Sequence, residues 1–162
     1  MRHIIKKISW SILATIILVV VLTAIPTLTH RSTKDIISKT FESALVNKQL
    51  PDYQLLLDKS NSIIVSNENI DTTWIPQLPG ISLTVLSPSA VQEKAEKDGE
   101  FLYLRFKKIE IGNLTATVSL DNTWINPTNN YGGYLSGGGF TLKFYNVLGN
   151  WVQSPMIQSW IS

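Results

Sequence analysis

The chain has 162 residues, with fourteen basic and twelve acidic side chains, two histidines and no cysteine. Its length suits one domain, not two good cores once an apolar leader is set aside, and the missing thiols exclude disulfides, thiolate metal sites and cysteine nucleophiles. Arg2, Lys6, Lys7 and Arg31 take four of the basic residues, so from Ser32 onward ten basic side chains face twelve acidic ones, which excludes the concentrated basic face that nucleic acid demands.

Residues 1–7 read as a basic cytoplasmic tail. Between Lys7 and His30 no side chain carries a formal charge, and Ile, Leu and Val dominate from Ile8 to Ile25. As a helix that run spans roughly 27 Å at about 1.5 Å per residue, close to the hydrocarbon thickness of a bilayer. Residues 8–29 are therefore expected to be a transmembrane anchor with the lipid bilayer as its partner. Trp10 falls near the cytoplasmic interface, and the basic flank keeps the N-terminus inside. A cleaved signal peptide is the alternative, but the run is long for one and Leu22 fits its cleavage pattern poorly. Residues 30–162 then form a domain on the periplasmic or extracellular side.

Within that domain, Ser32 to Asp35 supply a hydroxyl cap and an early carboxylate for a helix. Ile36, Ile37, Phe41, Ala44 and Leu45 recur at helical spacing to about Lys48. A second short helix is predicted over 52–59, then a strand over 62–66, an irregular stretch, and a half-buried strand on Ile81, Leu83 and Val85. Ser87 as cap, Pro88 at the first helical position and Gly99 as terminator bracket a third helix.

The remainder reads as sheet. Phe101 to Ile111 changes the parity of its apolar positions, which predicts a bulge near Lys107–Lys108. Gly112-Asn113 turns into a strand on whose buried face lie Leu114, Ala116, Val118, Leu120 and Trp124. Phe140, Leu142 and Phe144 alternate with polar partners, and Gly149-Asn150 leads to a last strand holding Trp151, Val152, Ile157 and Ile161. The expected fold class is α+β: an N-terminal transmembrane helix, then helices packed on a curved antiparallel sheet that ends in a four-stranded meander.

The order helix, helix, strand, strand, helix, four strands resembles the nuclear transport factor two-like and cystatin-like superfamily. The run Ser136-Gly137-Gly138-Gly139-Phe140-Thr141-Leu142-Lys143-Phe144, followed by Gly149-Asn150-Trp151-Val152, is similar to its final hairpin. The resemblance implies a curved antiparallel sheet wrapping helices into a cone, and it names no activity, since such cones host enzymes, binding proteins and assembly modules.

His3 and His30 lie at the ends of the anchor. The domain thus lacks a histidine for a Ser-His-Asp triad, a general base or a metal site, and no cofactor or metal is expected. The glycine-rich stretch from Gly132 lacks the Lys-Ser/Thr ending of a phosphate loop. Asp121, with Tyr103 and Arg105 on the neighbouring strand, is the best candidate pocket group, although alternation alone also explains all three as a solvated face. Tyr131, Tyr134 and Gly138 mark the loop 126–139 as a candidate contact. The expected function is a membrane-anchored binding or assembly module rather than an enzyme. Its partner outside the cytoplasm would be a protein, a peptide or an envelope component, a plan similar to assembly proteins of bacterial type IV secretion systems. The alternative is a small-ligand pocket or weak acid–base enzyme inside the cone, built on Asp121, Tyr103 and Arg105.

Overall fold

The computed structural model describes residues 32–56, 62–128 and 137–161. The chain divides into two compact units, Met1–Thr33 and Lys34–Ser162, and every described strand belongs to the second. Among the described residues no helix is long and apolar enough to cross a membrane. The anchor expected at 8–29 lies outside the described residues.

Residues 32–41 are helical, and Glu42–Val46 continue them as a wider turn in which Asn47 N–H donates to the carbonyl of Glu42, five residues back. We call this α1. Its apolar stripe, Ile36, Ile37, Phe41, Ala44 and Leu45, is buried as the helical spacing requires. α2 is the single turn Tyr53–Leu56. Then come β1 (Ser62–Ser66), β2 (Ser82–Leu86), α3 (Pro88–Asp98), β3 (Phe101–Ile111), β4 (Thr115–Ile125), β5 (Gly138–Val147), β6 (Asn150–Gln153) and β7 (Gln158–Ile161). The α3 signals act as predicted: Ser87 Oγ accepts from Ala90 N–H, Pro88 opens the helix, and Gly99 closes it at φ +90°.

The strands form one curled sheet in the order β2-β1-β3-β4-β5-β6, with β7 also paired to β5. β3 to β6 are the predicted antiparallel meander. The sheet is mixed, however, and this corrects the expected antiparallel one: β1 runs parallel to both β2 and β3. The cause is the long connection 67–81. A hairpin would reverse the chain, whereas a crossover of a dozen or more residues returns it to the starting edge. A 3₁₀ turn at Thr72–Trp74, capped by Asp71, carries that crossover, and Trp74, Ile75, Leu78 and Ile81 pack on the core along it.

Two further details differ from the pattern read in the sequence. The expected last strand is broken into β6 and β7, which pair with opposite halves of β5. Pro155 lies in the break, where a residue without N–H cannot extend a ladder, and Ser154 N–H makes the final bond to Lys143 C=O. Leu114 belongs to the turn rather than to the buried face and stays exposed. The predicted bulge is present between Phe106 and Lys108.

Alternation gives the sheet two distinct sides. The inner side carries Leu104, Phe106, Val118, Leu120, Phe140, Leu142 and Phe144, all fully buried, and α1 packs into it. Phe41 meets Phe106 edge to face at 5.5 Å. Lys39 Nζ donates to Trp151 C=O and Ser43 Oγ to Gln153 Oε1, so α1 is bonded to β6 as well as packed. On the outer side α3 covers only one end, burying Val91 against Ile64 and Tyr103.

Candidate functional site on the outer sheet face

The uncovered part of the outer face is the middle of β3, β4 and β5. Arg105, Asp121 and Gly139 stand in one cross-strand row there, and Ser119 pairs with Thr141 in the next. The bulge has a direct effect on this surface. Lys108 lies opposite Ser119 while Ile109 returns to the inner face opposite Val118. One extra residue therefore leaves Lys107 and Lys108 consecutive on the outer side, where strict alternation would turn one of them into the core.

Asp121 is the most constrained polar group in this row. It is only 6 % exposed, and its Oδ2 lies 3.9 Å from Arg105 Nη2, a loose ion pair rather than a hydrogen bond. Asp121 Oδ1 and Arg105 Nε are both buried without a hydrogen-bond partner. Burial raises the Asp121 pKa above the ordinary carboxylate value, against the opposing pull of Lys107 and Arg105.

Gly139 explains how Asp121 comes to be covered. A methyl group built on Gly139 would lie 2.5 Å from Trp160 Cζ2, 2.8 Å from Asp121 Oδ1 and 2.8 Å from Leu120 C=O. The indole of Trp160, opposite Gly139 on β7, thus lies directly on the backbone of β5 and shields the carboxylate. Lys107 Nζ stands over the ring, 6.0 Å from its centroid, a cation–π distance. Lys107, Lys108, Ser119, Thr141 and Trp160 line an open groove of about 530 Å³. The Ser119 and Thr141 hydroxyls in it are hydrogen-bonded at 2.7 Å.

The structure therefore brings Asp121 and Arg105 together, on the face opposite to the core. Tyr103 shares their face but is buried under α3, with Phe101 edge-on at 6.4 Å. Tyr131 and Tyr134 lie outside the described residues. Gly138 is a buried residue of β5, where a methyl group would lie 2.9 Å from Trp160 C=O. Its N–H donates to Asn122 Oδ1, and Asn122 Nδ2 donates to Pro51 C=O, so one buried amide ties three chain segments together. The other end of the 126–139 loop is held by α3. Glu96 Oε1 accepts from both the N–H and the hydroxyl of Thr128, and Gln92 donates to Asn126 C=O. Those bonds from Thr128, hydroxyl first, lower the Glu96 pKa.

Trp160 and Lys107 are the site residues that sequence reasoning did not assemble. The parity change at Lys107–Lys108 was a usable signal for one. The register of β7, on which the position of Trp160 depends, has no local signal. Among the described residues, no three His, Cys, Asp or Glu side chains converge as metal ligands. The chain matches no protein-family model, no curated protein and no solved structure.

Proposed function

We propose that the chain is a membrane-anchored extracytoplasmic binding or assembly module that works through the outer face of its sheet. Residues 8–29 hold it in the bilayer with the N-terminus in the cytoplasm, and the domain meets a protein, a peptide or an envelope component on the other side. The observation that carries this reading is the contrast between the two faces. The inner face is filled by α1, Phe140 and Leu142, whereas the outer face holds an open groove beside a buried carboxylate with an unmet hydrogen bond. A pocket inside the cone built on Asp121, Tyr103 and Arg105 is not retained, because all three point away from that interior. A curled sheet around a helix also supports the kinship to the nuclear transport factor two-like and cystatin-like superfamily, with the parallel β1 and β2 as a departure from it.

Two measurements on the full chain in its own membrane test this reading. External protease should cut a C-terminally tagged domain on sealed cells, and cutting only after lysis would refute the topology. A photo-crosslinking residue placed at Lys143 or Lys108 should give discrete adducts, while the same residue at Glu42, exposed on α1 on the other side of the sheet, should not. Equal labelling from all three would refute the outer face as the contact.

A further inference from the structure

We propose that the outer-face groove is a binding site for an acidic saccharide, a sugar ring bearing a carboxylate, stacked on the Trp160 indole. This rests on the reading above that the outer face is the working surface, and it names the class of ligand.

The argument begins with the indole. One side of Trp160 lies on Gly139, and the ring borders the groove. A flat apolar ring at the edge of a polar groove matches the C–H face of a pyranose, which presents apolar surface between its hydroxyls. Beside the ring stand the Ser119 and Thr141 hydroxyls, each able to give and to take a hydrogen bond. Lys107 supplies the charge. It makes no salt bridge among the described residues, in contrast to Lys108, which pairs with Glu110 at 2.9 Å. Lys107 Nζ, 6.0 Å from the ring centroid, would swing off the indole to pair with the ligand's carboxylate and so open that side of the ring to the sugar.

The charge beneath the ring narrows the choice. Asp121 Oδ1 is sealed under the indole and Arg105 Nε is buried beside it, both out of a ligand's reach, so the groove offers a ligand the indole, the two hydroxyls and Lys107. The nearby Asp121 carboxylate disfavours a dianion such as phosphate, and the domain as a whole is mildly acidic. The groove volume, about 530 Å³, is of a size that holds small ligands.

The test uses the full chain in micelles of an amine-oxide detergent, because glycosidic detergents would compete for the groove. Digalacturonate is compared with its neutral analogue galactobiose by saturation-transfer NMR of the ligand. Digalacturonate should bind, with galactobiose about two- to fivefold weaker, the loss corresponding to one semi-exposed charge contact. Trp160→Ala should abolish transfer and Trp160→Phe should keep part of it. Lys107→Gln should bring digalacturonate down to the level of galactobiose without changing galactobiose itself. No transfer from the wild-type chain, undiminished binding in Trp160→Ala, or equal displacement by inorganic phosphate would each overturn the assignment. Failure here together with outer-face crosslinks in the membrane would leave the module reading standing. Sugar binding by a chain whose domain resists external protease would do the reverse.

Discussion

Gly139→Ala tests the geometry of the outer face most directly. The position is extended backbone in β5, so alanine meets no conformational penalty there. Shortening the list of unfolded conformers should even stabilise the fold by about 0.4–1 kcal/mol. Against this, the new methyl group would sit 2.5 Å from Trp160 Cζ2 and 2.8 Å from both Asp121 Oδ1 and Leu120 C=O. Carbon atoms pack at about 3.5–4.0 Å, so the indole must retreat by about 1 Å or more. The Leu120 carbonyl belongs to β4 and cannot retreat without disturbing its ladder. Overpacking of this kind costs about 1–3 kcal/mol, leaving a net loss of about 1–2 kcal/mol. For a domain of this size the midpoint of thermal unfolding should fall by about 3–8 °C. Circular dichroism of the full chain in micelles would measure it. The same change in a Trp160→Ala background should cost less, with a coupling of about 0.5–1.5 kcal/mol. An unchanged melting temperature in Gly139→Ala would refute the packing of Trp160 on the β5 backbone. An identical loss in both backgrounds would assign the clash to Leu120 alone.

Three further predictions follow from other parts of the fold. Asn122→Leu leaves Pro51 C=O and Gly138 N–H without their buried partner, and should destabilise the domain by about 2–4 kcal/mol in chemical denaturation. A loss below about 0.5 kcal/mol would mean that the amide does not join the three segments. Leu148 is 97 % exposed at φ +52° beside Gly149 at φ +87°, in a two-residue turn that favours Asn-Gly. Leu148→Asn should therefore raise stability by about 0.5–1 kcal/mol, and a lower melting temperature would contradict that account of the turn. Burial holds the Asp121 pKa above its unfolded value, so its contribution to stability is fully present below the unfolded pKa and is lost as pH rises through the folded one. Asp121→Asn should then melt at or above the wild-type temperature at pH 7, and the difference should shrink as pH falls through the carboxylate range. A difference that grows on acidification would show that Arg105 and Lys107 outweigh burial.

The elements of this domain were legible because each signal is local. Ser87, Pro88 and Gly99 bracket α3 through backbone chemistry that needs no tertiary partner. The period-two burial of Phe140, Leu142 and Phe144, and the parity change at Lys107–Lys108, were likewise properties of consecutive residues. The absence of histidine from the domain bounds its chemistry by composition alone.

Pairing was another matter. Whether β2 lies antiparallel or parallel to β1 depends on the path of residues 67–81, and those contacts are made with the core rather than within the segment. β7 resumes pairing with β5 beyond the break at Pro155, and its register, Trp160 opposite Gly139, brings the indole onto that glycine and over Asp121. Sequence alternation placed Asp121 and Arg105 on the polar side of their strands, opposite Val118 and Leu120. It could not say that Asp121 is sealed there, because the indole that covers it comes from a strand later in the chain and reaches it only once β7 pairs with β5 and the glycine at 139 lets the ring lie on the backbone.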